Sequence, residues 1–327
     1  MLVAAEASGD DRGAGLARAL KRRLGDGVRF VGVGGERMAA EGVNSPFGIA
    51  DLSIFGLLEG LLAYRKVIRR ADEVAALAAR ERPDVAVLID SWGFTLRVAH
   101  RLRKQGIPVV KYVAPQVWAS RPGRARTTAR AYDLLLTIHA FDAPAFEKEG
   151  LAVRFVGNST LAIDFATADP ARLRAEIGAG PKTPVLLVAP GSRPSEIARV
   201  LPAFEDAVRR LKVERPELRV VLPVARTVAE LVKSRVAGWP HSVHVVEGEA
   251  AKKDAMRAAT VALACSGTVT TELALAGCPV VVGYRLGPFT HALLKRLIRT
   301  RWITLFNIAA QDFVAPELIQ DDCNGAA

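Results

Sequence analysis

Cysteine is scarce: the 327 residues hold three, Cys265, Cys278 and Cys323, an odd number without C-x-x-C spacing. Neither a disulfide framework nor a cysteine zinc site is expected, and a reducing compartment fits. Aromatic residues make up only 6% of the chain, and none interleaves with a Lys/Arg block. A base-stacking surface needs that interleaving, so nucleic acid is disfavoured as a partner. No apolar run approaches the ~20 residues of a membrane-spanning helix. The opening Met1-Leu2-Val3-Ala4-Ala5 has neither the charged n-region nor the cleavage site of a secretory leader. A cytoplasmic location is expected, with any membrane contact peripheral. No group of His, Cys, Asp and Glu has metal-ligand spacing, and the lone histidines His139 and His291 read as structural, so no metal is assigned.

What is present is a chain too long for one hydrophobic core, half of it apolar, which implies two domains. Lys and Arg outnumber Asp and Glu by 45 to 34, a net charge of +11, which calls for an anionic partner such as anionic lipid or a phosphorylated substrate. Short β-branched runs alternate with helical patterns throughout, the mark of βαβ units and parallel sheets. Strands are expected at Leu2 to Ala5, Arg29 to Val33, Val85 to Ile89, Val109 to Val113, Leu134 to Thr137 and Arg154 to Val156. A second series comprises Val185 to Ala189, Val220 to Pro223, Val243 to Val246, Val261 to Ala264 and Val280 to Gly283. The intervening helices include Arg12 to Leu24 and Leu57 to Arg80. The Gly- and Pro-containing stretch from Gly157 to Pro184 is the linker candidate. The fold class is thus α/β, with two Rossmann-like doubly wound domains, residues 1–160 and 161–327, and a ligand cleft expected between them.

Four strand-to-helix junctions carry chemistry. Glu6-Ala7-Ser8-Gly9-Asp10 follows the first strand, where small residues let a ligand approach the backbone, and Asp10 can equally cap a helix. Asp90 ends a buried strand, fit either for a general base or for a cap. Gly191-Ser192-Arg193 offers close backbone approach and a guanidinium fork for phosphate. Ser266-Gly267-Thr268 supplies hydroxyl and amide donors at a helix start, with Glu272 one turn inside to accept from ribose hydroxyls; a Ser/Thr cap followed by Glu is also ordinary capping.

Taken in order, AEASGD with GAGLARAL, VGVGGERM, FGLLEGL, LIDSWGF, KYVAPQVWASRPGRARTTARAYDLLL, FVGN, APGSRPSEI, SGTVTTELALAGCPVVVGYR and LFNIAAQDFVAPELIQDDC run collinearly through nearly the whole chain. Together they resemble the lipid-A-disaccharide synthase family. The resemblance implies a GT-B fold and an inverting transfer of 2,3-diacylglucosamine from its UDP derivative to the 6-hydroxyl of 2,3-diacylglucosamine 1-phosphate. The products would be the β-1,6 disaccharide 1-phosphate and UDP. It implies Asp90 as general base, Glu6 and Asp10 as further catalytic groups, Ser8 and Gly9 as substrate contacts in the first loop, and Arg193, Ser266, Gly267, Thr268, Glu272 and Asn307 around UDP. No cofactor or metal is implied, and a homodimer is admitted. Gly93 stands where many members have a second acidic residue, and Thr95 where many have Asn. The chain ends at Asn324-Gly325-Ala326-Ala327, short of the C-terminal helices usual in the family, which the second domain is expected to lack.

Acylated substrates require a membrane surface, and the stretch Ile54 to Arg70 suits one. On a helix Leu57, Leu61, Tyr64 and Ile68 share a face that Leu58 and Leu62 widen, with Arg65, Lys66, Arg69 and Arg70 at one end. Peripheral contact with the anionic cytoplasmic face of the inner membrane is expected there, core packing being the competing reading. Rival functions are another GT-B enzyme of UDP-amino sugars, such as the peptidoglycan glucosaminyltransferase or a sugar 2-epimerase, and a basic nucleotide- or nucleic-acid-binding protein.

Overall fold

The computed structural model describes all residues except 53–56, 118–121, 288–290 and 292–299; for 50, 51 and 57–63 it describes the backbone element alone. The chain divides into two units, Met1–Ser159 and Thr160–Ala327.

In the first unit the strands are β1 Leu2–Ala4, β2 Gly32–Val33, β3 Ala86–Ile89, β4 Val109–Tyr112, β5 Leu134–Thr137 and β6 Ala152–Phe155. All pair in parallel in the order β2-β1-β3-β4-β5-β6. The crossovers are α1 Ala7–Leu24, α2 Glu36–Ala40, α3 Leu57–Glu81, α4 Trp92–Lys104, α5 Arg124–Ala131 and α6 Ala143–Glu147. Both faces of β1 are covered: Val3 and Ala5 join the cluster of Leu88, Val98 and Leu135, while Leu2 and Ala4 pack with Met38 and Ile89. This is why the strand reads as unbroken hydrophobicity rather than alternation.

The second unit repeats the plan with α7 Pro170–Glu176, β7 Val185–Ala189, α8 Pro194–Glu214, β8 Arg219–Val224, α9 Ala229–Val236, β9 His244–Glu247, α10 Glu249–Ala258, β10 Val261–Cys265, α11 Thr268–Leu275, β11 Val280–Tyr284, α12 Leu305–Ala310 and β12 Glu317–Ile319. Its sheet order is β12-β11-β10-β7-β8-β9. Leu186 and Val188 pack under Ile197, Val200 and Phe204 of α8, and Val185, Leu187 and Ala189 pack with Ala255, Met256 and Leu273.

Several boundaries differ from the sequence reading. Helix α1 starts at Ala7, not Arg12, with Glu6 extended at its N-cap and the Asp10 amide donating to the Glu6 carbonyl at 2.9 Å. Gly13 therefore lies inside the helix, where a Cβ would sit 2.4 Å from Met38 Sδ; its absence lets α1 close on α2. Helix α5 reads RARTTARA, without an apolar period to announce it, and β12 is three residues long. Each strand order reverses once, between β1 and β3 in the first sheet and between β7 and β10 in the second. Ligands of doubly wound sheets bind outside the carboxyl ends of the strands at that reversal.

Candidate functional site

Asp90 follows β3 at the first reversal point, and α1 enters beside it from β1. Asp90 and Ser91 hold φ of 52° and 35°, two consecutive left-handed residues that turn the chain sharply into α4. Asp tolerates this region better than most residues, yet such backbone is held only where its surroundings determine it. The Asp90 carboxylate is fixed from three directions. Oδ2 accepts from Ser8 Oγ at 3.2 Å and from an Arg12 guanidinium nitrogen at 3.1 Å, and Oδ1 accepts from the Ser91 amide at 3.0 Å. The Asp90 side chain stays 32% exposed while Arg12 is 11% exposed, so the carboxylate is anchored at its rear and open to solvent.

Beneath it lies Lys111, 1% exposed, at the third position of β4. Its Nζ donates to the Asp90 carbonyl and, at 3.0 Å, to Thr95 Oγ1, on which the Tyr132 hydroxyl also converges at 3.4 Å. Burial pulls the Lys111 ammonium down to about 7, against the opposing attraction of Asp90 and Glu6. Burial in the same pocket raises the Tyr132 phenol above its usual range.

The other residues of the first loop divide. Ser8 is drawn onto Asp90, whereas Gly9 is buried with its Cα against Ala4, a Cβ there meeting Ala4 Cβ at 3.2 Å. The buried Asp10 carboxylate accepts from the amides of Gly35 at 2.7 Å, Met38 at 3.0 Å and Arg37 at 3.0 Å. Asp10 thereby caps α2, its oxygens engaged by backbone donors from another segment. Glu6 sits at the α1 N-cap, half-buried. Sequence reasoning missed Arg12; the signal was its i+4 spacing from Ser8, hidden by the late start assigned to the helix. His139 stacks on Phe141 with centroids 5.1 Å apart, and burial together with Arg12 lowers its pKa.

At the second reversal point, β7 delivers Gly191 to Arg193 and β10 delivers Ser266 to Thr268. Gly191 has φ of 111°, and a Cβ there would lie 2.8 Å from Glu196 Oε2. Arg193, about half-exposed, pairs with Glu196 at 2.8 Å. Gly267 and Thr268 stand exposed at the start of α11, where backbone amides favour an anion. The Ser266 hydroxyl donates to the Ile303 carbonyl at 3.2 Å, which keeps its lone pairs for an incoming donor. Glu272, 13% exposed in its side chain, pairs at 3.0 Å with Lys252 of α10, which also meets Glu249 at 3.1 Å. Burial lowers the Lys252 pKa, but the two carboxylates outweigh it and the net shift is upward. Lys252 is a second cation here that sequence reasoning missed, since its partner lies 20 residues away on another helix.

Asn307 is paired within the protein. It is fully buried, its Nδ2 donating to the Ala315 carbonyl and to Glu317 Oε1 at 2.9 Å each, its Oδ1 accepting from the Val314 and Ala315 amides at 2.9 and 3.0 Å. With these polar atoms paired inside the protein, Asn307 staples the segment between α12 and β12. The side chains of Leu57, Leu58, Leu61 and Leu62 lie outside the described residues. Farther along α3, Val67, Ala71, Val74 and Ala78 form the core face, Tyr64 is 51% exposed, Arg65 is exposed and Lys66 half-buried. Among the described residues no cluster of three or more metal-ligating side chains occurs and no helix is long and apolar enough to cross a membrane.

A family model for lipid-A-disaccharide synthetase matches residues 1–326. A lipid-A-disaccharide synthase of Rhodospirillum centenum is 43% identical over 324 residues, covering 98% of this chain and 81% of that protein. One of Pseudomonas syringae pv. tomato is 41% identical over 327 residues, covering 100% and 85%. Among solved structures, a co-structure of S. aureus MnaA with UDP matches with a TM-score of 0.63 at 16% identity, covering 96% of this chain and 87% of that one. A Methanocaldococcus jannaschii UDP-GlcNAc 2-epimerase in complex with UDP-GlcNAc and UDP matches at 0.60 and 14%, covering 99% and 88%. At such identities the structural likeness speaks for the fold alone, an α/β fold of GT-B type. The sequence matches extend over both units and both sets of junction loops, and the chain belongs to the lipid-A-disaccharide synthase family of glycosyltransferases.

Proposed function

We propose that this chain transfers 2,3-diacylglucosamine from its UDP derivative to the 6-hydroxyl of 2,3-diacylglucosamine 1-phosphate, releasing UDP. The observation that carries the reading is the placement of chemistry-bearing loops at both sheet reversals, a carboxylate in one unit and phosphate-suited groups in the other. In this reading Asp90 takes the proton from the acceptor hydroxyl as its oxygen attacks the anomeric carbon. The bond to the diphosphate breaks with inversion, and UDP leaves with the electron pair. Arg193, Lys252 and the amides at the start of α11 stabilise the charge gathering on the diphosphate. Glu272 accepts from the ribose, and Ser8 and Arg12 orient the base.

The chemistry of acylated substrates further supports a peripheral position on the anionic cytoplasmic face of the inner membrane. UDP release that requires both acylated sugars is the deciding assay. Release with the donor and water alone, or conversion of the sugar without an acceptor, rejects the transfer.

A further inference from the structure

We infer that Lys111 is a positioning residue for the transfer, holding the strained Asp90–Ser91 turn through its bonds to the Asp90 carbonyl and the Thr95 hydroxyl. The inference rests on the reading of Asp90 as general base and deepens it.

Three observations carry it. The Asp90 peptide is in a left-handed conformation, followed at once by a second left-handed residue. Neither residue is glycine, so the turn persists only because neighbouring groups hold it. The groups that do so are buried and specific. Thr95 Oγ1 reaches the carbonyls of Asp90 and Ser91 at 3.1 Å each, and Lys111 Nζ bonds both the Asp90 carbonyl and Thr95 Oγ1. A hydroxyl has one proton and two lone pairs. Thr95 thus gives its proton to the turn and takes donors from Lys111 and Tyr132. Finally, the position is a costly one for a lysine. A fully buried amine contributes little to stability, and an apolar side chain of the same length would fill the space. The Lys111 nitrogen donates to two acceptors, the Asp90 carbonyl and the Thr95 hydroxyl. With the carbonyl of Asp90 clamped from beneath and its carboxylate tied to Ser8 and Arg12 above, the residue is fixed at both ends.

A group that orients the base acts on turnover and not on substrate affinity. Lys111→Met keeps the length and removes the donors. It is expected to fold, to lower kcat about 10- to 100-fold, and to leave KM for both acylated sugars within about twofold. Thr95→Val leaves the lysine in place and is expected to show the same pattern, so the test stands even where Lys111→Met does not fold. The double variant separates positioning from general damage. If Lys111 acts through Asp90, adding Lys111→Met to Asp90→Asn costs little more than Asp90→Asn alone. A full multiplicative loss in the double variant, an unchanged kcat in both single variants, or a loss confined to KM overturns the inference. Normal turnover of Asp90→Asn by itself overturns the general-base reading and the inference with it.

Discussion

The Ser8 hydroxyl donates to the Asp90 carboxylate across 3.2 Å although 82 residues separate them in sequence. The strands that precede them, β1 and β3, are neighbours in the sheet because the chain returns past β1 after laying down β2. The reversal therefore brings the start of α1 against the proposed base. Asp90→Asn preserves this geometry and removes the proton acceptor. Turnover is expected to fall about 10² to 10⁴-fold, roughly 3 to 5 kcal/mol of barrier. Steady-state rates of UDP release check this, and a variant within threefold of the parent rejects the role.

UDP affinity is expected to depend on the second unit. Glu272→Ala removes the proposed ribose acceptor and leaves Lys252 with Glu249 alone; Arg193→Ala removes the proposed fork for phosphate. Each is expected to weaken UDP binding by about 1 to 3 kcal/mol without altering acceptor affinity. Titration calorimetry with UDP reads this directly. Unchanged affinity in both variants excludes the site.

How much of this was legible beforehand depends on the range over which each residue acts. Asp90 stands out because an apolar strand stops on a carboxylate, a local pattern. Arg193, Ser266 and Thr268 likewise sit at strand-to-helix junctions that single segments reveal. Asp10 and Asn307 do not, because what defines them is the set of amides they bind, 25 to 28 residues away for Asp10 and 7 to 8 for Asn307. A polar residue in a motif looks alike whether it faces substrate or backbone. Lys111 was invisible for a related reason. In the run VVKY it reads as an interruption of a strand, and only the sheet shows that it lies under the Asp90 turn.

Asp10 is expected to govern stability. Three amide donors converge on its carboxylate, and Asp10→Ala leaves them unpaired in a buried place. A loss of about 2 to 4 kcal/mol is expected in urea unfolding. Asp10→Asn retains one acceptor oxygen and is expected to lose less. If Asp10→Ala unfolds like the parent but has lost turnover, the capping assignment is wrong and a catalytic one returns.

Membrane contact through the start of α3 is open to a paired test. Replacing Leu57, Leu58, Leu61 and Leu62 with Ser is expected to reduce flotation with anionic vesicles while thermal unfolding stays cooperative. Binding by the parent is expected to weaken with salt, since each basic side chain near the leaflet contributes about 1 kcal/mol that screening removes. Loss of cooperative unfolding in the leucine variant assigns those residues to the core instead.

The stability of the protein is expected to rise with pH through Lys111. In the folded chain this amine titrates near 7, whereas its ordinary value is 10.5. Between these values the unfolded chain binds a proton that the folded chain does not, so raising the pH favours the folded state. Below 7 both states are protonated, and the cost of the buried charge is present in full. Across pH 7 to 9 the gain amounts to about 2 to 3 kcal/mol. The groups facing the amine are the Asp90 and Glu6 carboxylates and, through Thr95, the Tyr132 phenol, whose pKa burial raises. Other groups of the protein also titrate, so the quantity to measure is the difference between the parent and Lys111→Met in urea unfolding at each pH. That difference is expected to shift steadily in favour of the parent from pH 7 to 9. A flat difference means that Lys111 keeps its ordinary affinity for the proton, and that water or a carboxylate reaches it inside the fold.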